Sequence, residues 1–425
     1  MRFPISLLLL PCAAAAVVAQ PAPSARDRAV AQRVLTAVPL IDGHNDLPWA
    51  IRNAKGAPRD VDAYDLRRPT PGHTDLARLA TGRVGGQFWS VYIPGNIKDS
   101  GFARVQLEQI DIARRVIAKY PERLRFVTTA AGVRSAFAAG RIGSLMGMEG
   151  GHAIENSLGA LRAYYDAGVR YMTLTHNQTL DWADAATDSA RRGGLTPFGR
   201  EVVREMNRLG MLVDLSHVAP SVMSQALDAT EAPVIFSHSS ARAIADHPRN
   251  VPDSILARLP KNGGVVMVTF VPGFVSPSII AWNRQRAAKA ADLRKGADTA
   301  AARRELDAWI AANPTPKATL ADVANHVDHI RKVAGVDHVG LGGDFDGIDT
   351  VVEGLEDVST YPALIAELSR RGWSEADLRK LVGENILRVM ASAERVSERL
   401  RRERKPSTAT IEQLDRAPGR TTGSP

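Results

Sequence analysis

The chain has 425 residues, 44% of them hydrophobic and 24% charged, a composition that excludes a disordered or fibrous chain and suits a packed globular one. Its formal net charge is +8, but the Lys and Arg are spread along helical stretches that also carry Glu and Asp, and the one dense run is Glu398-Arg-Leu-Arg-Arg-Glu-Arg-Lys405. No basic stripe interleaved with aromatics occurs, so no nucleic-acid partner is expected.

The N-terminus places Arg2 before an apolar run too short to span a bilayer stably, followed by small residues. This pattern marks a secretory signal peptide over residues 1–19, with cleavage expected after Ala19. Lipidation of Cys12 is the alternative, and Pro11 directly before it is a poor fit. Cys12 is the only cysteine, so cleavage leaves none to form a disulfide. No other stretch is long and apolar enough to be a transmembrane helix. The expectation is an exported bacterial protein, periplasmic or secreted.

A helical pattern follows the Ala/Pro/Ser-rich lead-in. The first strand is expected at 38–41. It ends in Asp42-Gly43 and then presents His44 and Asp46, which alternate positions of an extended segment would turn to one side. Residues 51–81 read as a long irregular connection with a short helix at 75–80. Further strands are expected at 87–93, 141–149, 171–175, 211–215, 234–237, 264–270 and 337–344. Helices are expected at 103–119, 158–167, 198–209, 219–227 and 321–334, with a helical turn at 255–259. Eight apolar strands, most followed by a helix, predict parallel pairing with right-handed crossovers, hence a closed (β/α)8 barrel of the TIM type. An open doubly wound sheet is the competing architecture, but neither Gly-x-Gly-x-x-Gly nor a Gly-Lys-Ser/Thr phosphate loop supports it. Residues 277–317 read as a helical insertion between strand seven and the following helix. Residues 401–425 read as a disordered tail. One barrel domain over 20–400 remains.

Polar residues cluster at the strand ends: His44 and Asp46 after the first, Glu149 after the third, His176, His217 and His238 after the fourth, fifth and sixth, and Asp344 after the eighth. In a barrel these positions converge on the C-terminal rim. Four histidines and three carboxylates on one rim can supply a binuclear metal site with a bridging carboxylate. His152 reads as structural, and His326 and His329 as lying on a helix away from the rim. Asp344 is preferred to Asp346 because it directly follows the strand. His73 and His247 read as loop residues.

These stretches resemble the membrane dipeptidase (renal dipeptidase) family of zinc metallopeptidases, within the metal-dependent amidohydrolase barrels. The matching motifs are Ile41-Asp-Gly-His-Asn-Asp-Leu-Pro48, Gly147-Met-Glu-Gly-Gly-His152, Tyr171-Met-Thr-Leu-Thr-His176, Thr179-Leu-Asp-Trp-Ala-Asp184, Val213-Asp-Leu-Ser-His217, Phe236-Ser-His-Ser-Ser240, Arg249-Asn-Val-Pro-Asp253, Gly342-Gly-Asp-Phe-Asp-Gly347 and Gly383-Glu-Asn-Ile-Leu-Arg388. Each is short, but they follow the family's order across nearly the whole chain.

The resemblance implies two Zn²⁺ per chain, one held by His44 and Asp46, the other by His217 and His238, with Glu149 bridging them. It implies that His176 contacts the substrate and polarises the scissile carbonyl. Arg249 would bind the substrate carboxylate, and Asp344 would move the proton of the attacking water. The implied activity is hydrolysis of dipeptides by a metal-bridging hydroxide. The same site could serve another amide, such as a β-lactam or an N-acyl amino acid. A non-catalytic peptide-binding barrel is the rival of another class, and it would be expected to show a broken ligand set, whereas all five ligand positions carry competent residues. A homodimer is expected from the family, without a disulfide link. Two departures border the pocket: the insertion, and Thr269-Phe-Val-Pro-Gly273, which lacks the tyrosine expected near the substrate.

Overall fold

The structure, a computed structural model, describes residues 22–97, 101–295 and 298–415. The expected signal peptide, 1–19, lies outside the described residues. Nine parallel strands form the sheet: β1 (Leu40–Asn45), β2 (Val84–Ser90), β3 (Leu124–Phe126), β4 (Ile142–Glu149), β5 (Val169–Thr173), β6 (Leu212–Asp214), β7 (Ile235–Phe236), β8 (Val265–Val268) and β9 (Val339–Leu341). Each of β1, β2, β4, β5, β6, β7 and β8 pairs with the next in that series, β8 pairs with β9, and β9 returns to β1. Eight strands therefore close on themselves as a (β/α)8 barrel, as the alternating pattern predicts. β3 stands outside the closed ring and pairs only with the start of β4.

Closure buries both faces of the strands, so they read as continuous apolar runs. Period-two alternation sorts their side chains. Leu40, Trp89, Met146, Met172, Val213, Phe236, Val266 and Leu341 point outward into the layer beneath the helices. Ile41, Phe88, Leu145, Tyr171, Leu212, Ile235, Val265 and Met267 point inward and plug the lumen, together with Ile386, Leu387 and Met390 of the helix Asn385–Glu403. Two residues further along several of these strands, the inward positions turn polar: Ser90, Thr173, Asp214 and Ser237, all buried. The same parity places Glu149 inward at the end of β4.

The motif Gly383-Glu-Asn-Ile-Leu-Arg388 lies at the opposite end of the barrel from the site. A Cβ at Gly383 would overlap the Pro39 carbonyl. Asn385 Nδ2 donates to the carbonyls of Val336 and Val339, at 2.7 and 2.9 Å. The motif locks the closing helix to the strand starts.

The insertion expected at 277–317 forms two helices, Pro277–Leu293 and Thr299–Ala312, before the helix Leu320–Ala334. The polar stretch after Lys405 differs from a featureless tail as far as Asp415. It forms a short helix, Ile411–Asp415, whose Asp415 carboxylate accepts from Thr196 Oγ1 and the Phe198 amide at the start of the helix Pro197–Leu209. The remainder of the expected tail, 416–425, lies outside the described residues.

Candidate metal centre

The site rests on the polar layer that caps the apolar plug. β1 slips register against β2 between Asp42 and Asn45, and His44 enters the lumen there. Asp46 reaches the same place by a different route from the strand alternation that the H-x-D spacing suggests. Its backbone (φ −93°, ψ 24°) has left the strand and begins the helix Leu47–Arg52. His217 and Asp344 end their strands with φ of 68° and 65°, left-handed backbone that non-glycine residues rarely adopt. Asp346 is left-handed as well, at φ 65°. Its side chain turns away to accept from the His73 amide at 2.7 Å, so Asp344 alone of the two faces the cluster.

Glu149 sits at the centre. Its Oε2 lies 3.4 Å from His44 Nε2, which is itself 3.2 Å from Asp46 Oδ2 and 4.0 Å from Asp344 Oδ1. Its Oε1 lies 2.9 Å from His217 Nε2, 3.5 Å from His238 Nε2 and 3.7 Å from His176 Nε2. Two ligands about 2.0–2.1 Å from one tetrahedral zinc are roughly 3.3 Å apart, so these separations match donors converging on shared ions.

The hydrogen bonds behind the histidines decide which nitrogen carries the proton. Tyr171 OH donates to the Gly43 carbonyl at 3.2 Å and lies 2.8 Å from His44 Nδ1. Its proton is committed, so His44 Nδ1 is the donor between them. Ser237 Oγ donates to Asp214 Oδ2 at 2.6 Å and lies 2.8 Å from His238 Nδ1, which must likewise donate. Asn177 Oδ1 accepts from His217 Nδ1 at 3.2 Å. In their neutral form all three rings therefore aim a bare Nε2 lone pair at the cluster. His217 Nε2 and His238 Nε2 are 2.9 Å apart, and His44 Nε2 and Asp46 Oδ1 are buried without a hydrogen-bond partner. Such orphaned donor atoms are costly unless something positive sits among them. The residues fit a metal centre.

Electrostatics agree for His217 and His238. Burial, then the Arg249 charge, hold His217 well below the usual imidazole range; burial and His44 do the same for His238. Both present neutral rings, as metal ligation requires. At His44 burial is outweighed by Tyr171, Glu149 and Asp46, which hold the ring well above the usual imidazole range, so this ring ligates a metal only on giving up its proton. Burial opposes ionisation of Glu149, but His44, His176, His217 and His238 outweigh it and hold the carboxyl well below its ordinary range. Burial pushes Asp344 up to about 8, with Asp46 and Glu149 adding and His44 opposing.

Above the cluster opens a cavity of about 370 Å³, walled by Trp49, Tyr92, His176, Arg249, Val271 and Phe274. A larger cavity of about 930 Å³ lies beside it behind Ile348, among residues 50–73, but it holds none of the clustered histidines. All eight residues singled out from the sequence thus gather here: seven in the cluster and Arg249 in the wall. Sequence reasoning missed Tyr171, Asn177, Asp214, Ser237 and Phe274. Tyr171, Asp214 and Ser237 lie within motifs already noted, where a buried polar group in the same strand as a strand-end histidine or beside it is the one available signal, and Asn177 directly follows His176. His152 is structural, its Nε2 bonded to the Ile93 carbonyl at 3.0 Å. His326 is buried between two backbone groups, and His329 pairs with Asp253.

Residues 28–404 match the membrane dipeptidase family, peptidase family M19. Among solved structures, the probable dipeptidase PvdM from Pseudomonas aeruginosa is 23% identical and shares the fold, with a TM-score of 0.74 over 87% of this chain and 99% of that one. A metallo peptidase from Rhodobacter sphaeroides, liganded with a phosphinate mimic of the dipeptide L-Ala-D-Ala, is 26% identical, with a TM-score of 0.69 over 84% and 99%. The dipeptidase AC, a metallo peptidase of the same family, is 28% identical, with a TM-score of 0.68 over 84% and 98%.

Proposed function

Because the chain belongs to the membrane dipeptidase family, we propose that it hydrolyses dipeptides with two zinc ions. One observation carries the two-ion reading: the two oxygens of Glu149 face two separate donor sets. His44 and Asp46 would hold one ion, His217 and His238 the other, with Glu149 between them. Mixed imidazole and carboxylate donors suit zinc. Bound there, the ions would supply Lewis acidity, acidifying a water and polarising an amide carbonyl.

The remaining work falls to side chains. Arg249 offers a buried guanidinium whose Nε has no partner, a ready fork for a free carboxylate. His176, in the wall of the cavity and 3.7 Å from Glu149, is placed to donate to the carbonyl oxygen as charge develops on it. Asp344, its Oδ1 facing the cluster 4.0 Å from His44 Nε2 and its side chain lining the cavity, is placed to take the proton of the attacking water and return it to the leaving nitrogen. A cavity of about 370 Å³ suits a short peptide. The Rhodobacter sphaeroides relative holding a dipeptide mimic supports the same substrate class. The signal-peptide pattern of residues 1–19 supports export. No helix among the described residues is long and apolar enough to cross a membrane.

Metal analysis of the purified protein tests the two-ion reading. About two equivalents of zinc are expected, and one or none overturns it. Dipeptide turnover should stop with chelator and return with added zinc. Turnover that persists with chelator, or in Asp344→Asn, overturns the mechanism.

A further inference from the structure

Phe274 lies outside the quoted motifs, yet it stands where the wall of the cavity meets Arg249. It lies three residues beyond Val271, in the short helix Pro272–Val275 that leads from β8 into the helical insertion. Its ring is half-exposed to the cavity, and the Arg249 guanidinium carbon lies 5.0 Å from the ring centroid. His247 stacks on the same ring at 4.4 Å with an interplanar angle of 27°. His247 also accepts from the Arg249 amide through Nδ1 at 3.2 Å. Burial, then Arg249 and Arg242, push the His247 ring down to about 4, so it adds no second positive charge beside Arg249.

The backbone of this helix is pinned from two sides. Asn250, next to Arg249 in the chain, donates to the Phe274 carbonyl at 2.7 Å. His326 binds the Val275 carbonyl through Nε2 and the Ala241 amide through Nδ1, both at 3.0 Å. Arg249, Phe274 and the segment after His238 are thereby tied into one rigid unit. The guanidinium itself has only a long contact to protein in this unit, Nη2 to the His238 carbonyl at 3.4 Å, and its Nε has no partner. The aromatic face is therefore the main restraint on where its fork points.

We infer that Phe274 is a positioning residue for substrate recognition: its ring holds the Arg249 guanidinium in the orientation that receives the free carboxylate of a dipeptide, and with Val271 it gives that end of the cavity an apolar wall. This rests on the reading of Arg249 as the carboxylate ligand. The apolar wall favours an uncharged side chain on the residue that carries the carboxylate, and Arg249 disfavours a basic one there.

The test compares kcat and KM for an apolar dipeptide and for its C-terminal amide, in the zinc-loaded wild type, Phe274→Leu, Phe274→Met and Phe274→Tyr. The wild type is expected to favour the free acid. Losing the ring face should raise KM for the acid ~3- to 10-fold while kcat changes less than about twofold and KM for the amide stays put. Phe274→Tyr, which keeps the ring, should restore the wild-type preference. If Leu and Met leave the acid-over-amide preference unchanged, or lower turnover of acid and amide alike, the role of Phe274 is overturned. A wild type indifferent to the amide overturns the Arg249 reading and this inference with it, an outcome visible before any variant is made.

Discussion

His217 Nε2 and His238 Nε2 face each other at 2.9 Å, and the other ring nitrogen of each is already donating, to Asn177 and to Ser237. Two imidazole lone pairs at that separation repel unless a cation joins them. In the proposed two-ion centre, this pair is the half that depends most strictly on metal. His238→Ala is expected to lose about one equivalent of metal and to lower kcat/KM at least ~100-fold, while Glu149→Ala loses both ions. Metal analysis beside steady-state assays distinguishes the two variants.

Tyr171→Phe removes only the hydroxyl that fixes the His44 ring. The ring itself stays to fill the lumen over Gly147, where a Cβ would overlap it. Fold and thermal midpoint should be nearly unchanged. Metal affinity or activity should fall ~10- to 100-fold, the usual effect of losing a group that orients a ligand histidine. Competition with a graded chelator reads this directly.

Gly347 packs so closely that a Cβ there would meet Asp46 Oδ2 and Asp344 Oδ1. Both atoms belong to groups already confined by the barrel. Gly347→Ala should displace both carboxylates and reduce kcat by ~10²-fold or more, the scale on which small displacements of positioned groups act. Circular dichroism should show the barrel intact.

Removing metal should destabilise as well as inactivate. The apo state leaves the bare Nε2 atoms of His217 and His238 packed against each other at 2.9 Å. A ligand present at 1,000 times its Kd contributes ~4 kcal/mol. For a chain of this size that corresponds to a drop in Tm of roughly 5–10 °C on chelation, measurable by scanning calorimetry.

Far from the site, Glu205 is buried beneath Arg208 and Arg162, at 2.8 and 3.0 Å. Burial raises its pKa, but hydrogen bonds from Arg208 and then Arg162 outweigh burial and hold the carboxyl below its ordinary value. A carboxyl depressed in the folded state stabilises fully above its unfolded pKa and loses that contribution as pH falls through the folded one. Stability to urea should therefore decline below about pH 4.5, and Glu205→Gln should flatten that acid limb. Arg208→Met, which leaves Arg162 as the one remaining cation on the buried carboxylate, should cost ~1–3 kcal/mol at neutral pH.

The barrel was legible because each of its eight strands is an apolar run buried on both faces. β3 was not, since Leu124-Arg-Phe126 offers only one buried side chain. The clustering of the rim residues was legible because a polar residue directly after such a run has few places to go but the rim. Tyr171 was hidden in its own strand, where it counts as an apolar residue. Its hydroxyl reaches His44 only because barrel closure brings together residues 127 apart in sequence. Asp344 and Asp346 could not be told apart by spacing. Both have left-handed backbone, so the alternation of an extended strand does not apply to them. Phe274 carries no chemistry of its own, and only its place over Arg249 draws notice to it.

The plug of Ile41, Phe88, Leu145, Tyr171 and Met267 has a kinetic corollary. The barrel has a floor, so it is a well rather than a conduit. Whatever enters must leave by the same mouth, and both amino acids released by one turnover have to clear it before the next substrate settles. The departing C-terminal amino acid keeps the carboxylate that Arg249 is proposed to hold. It is the product expected to linger, and to compete with fresh dipeptide as it accumulates.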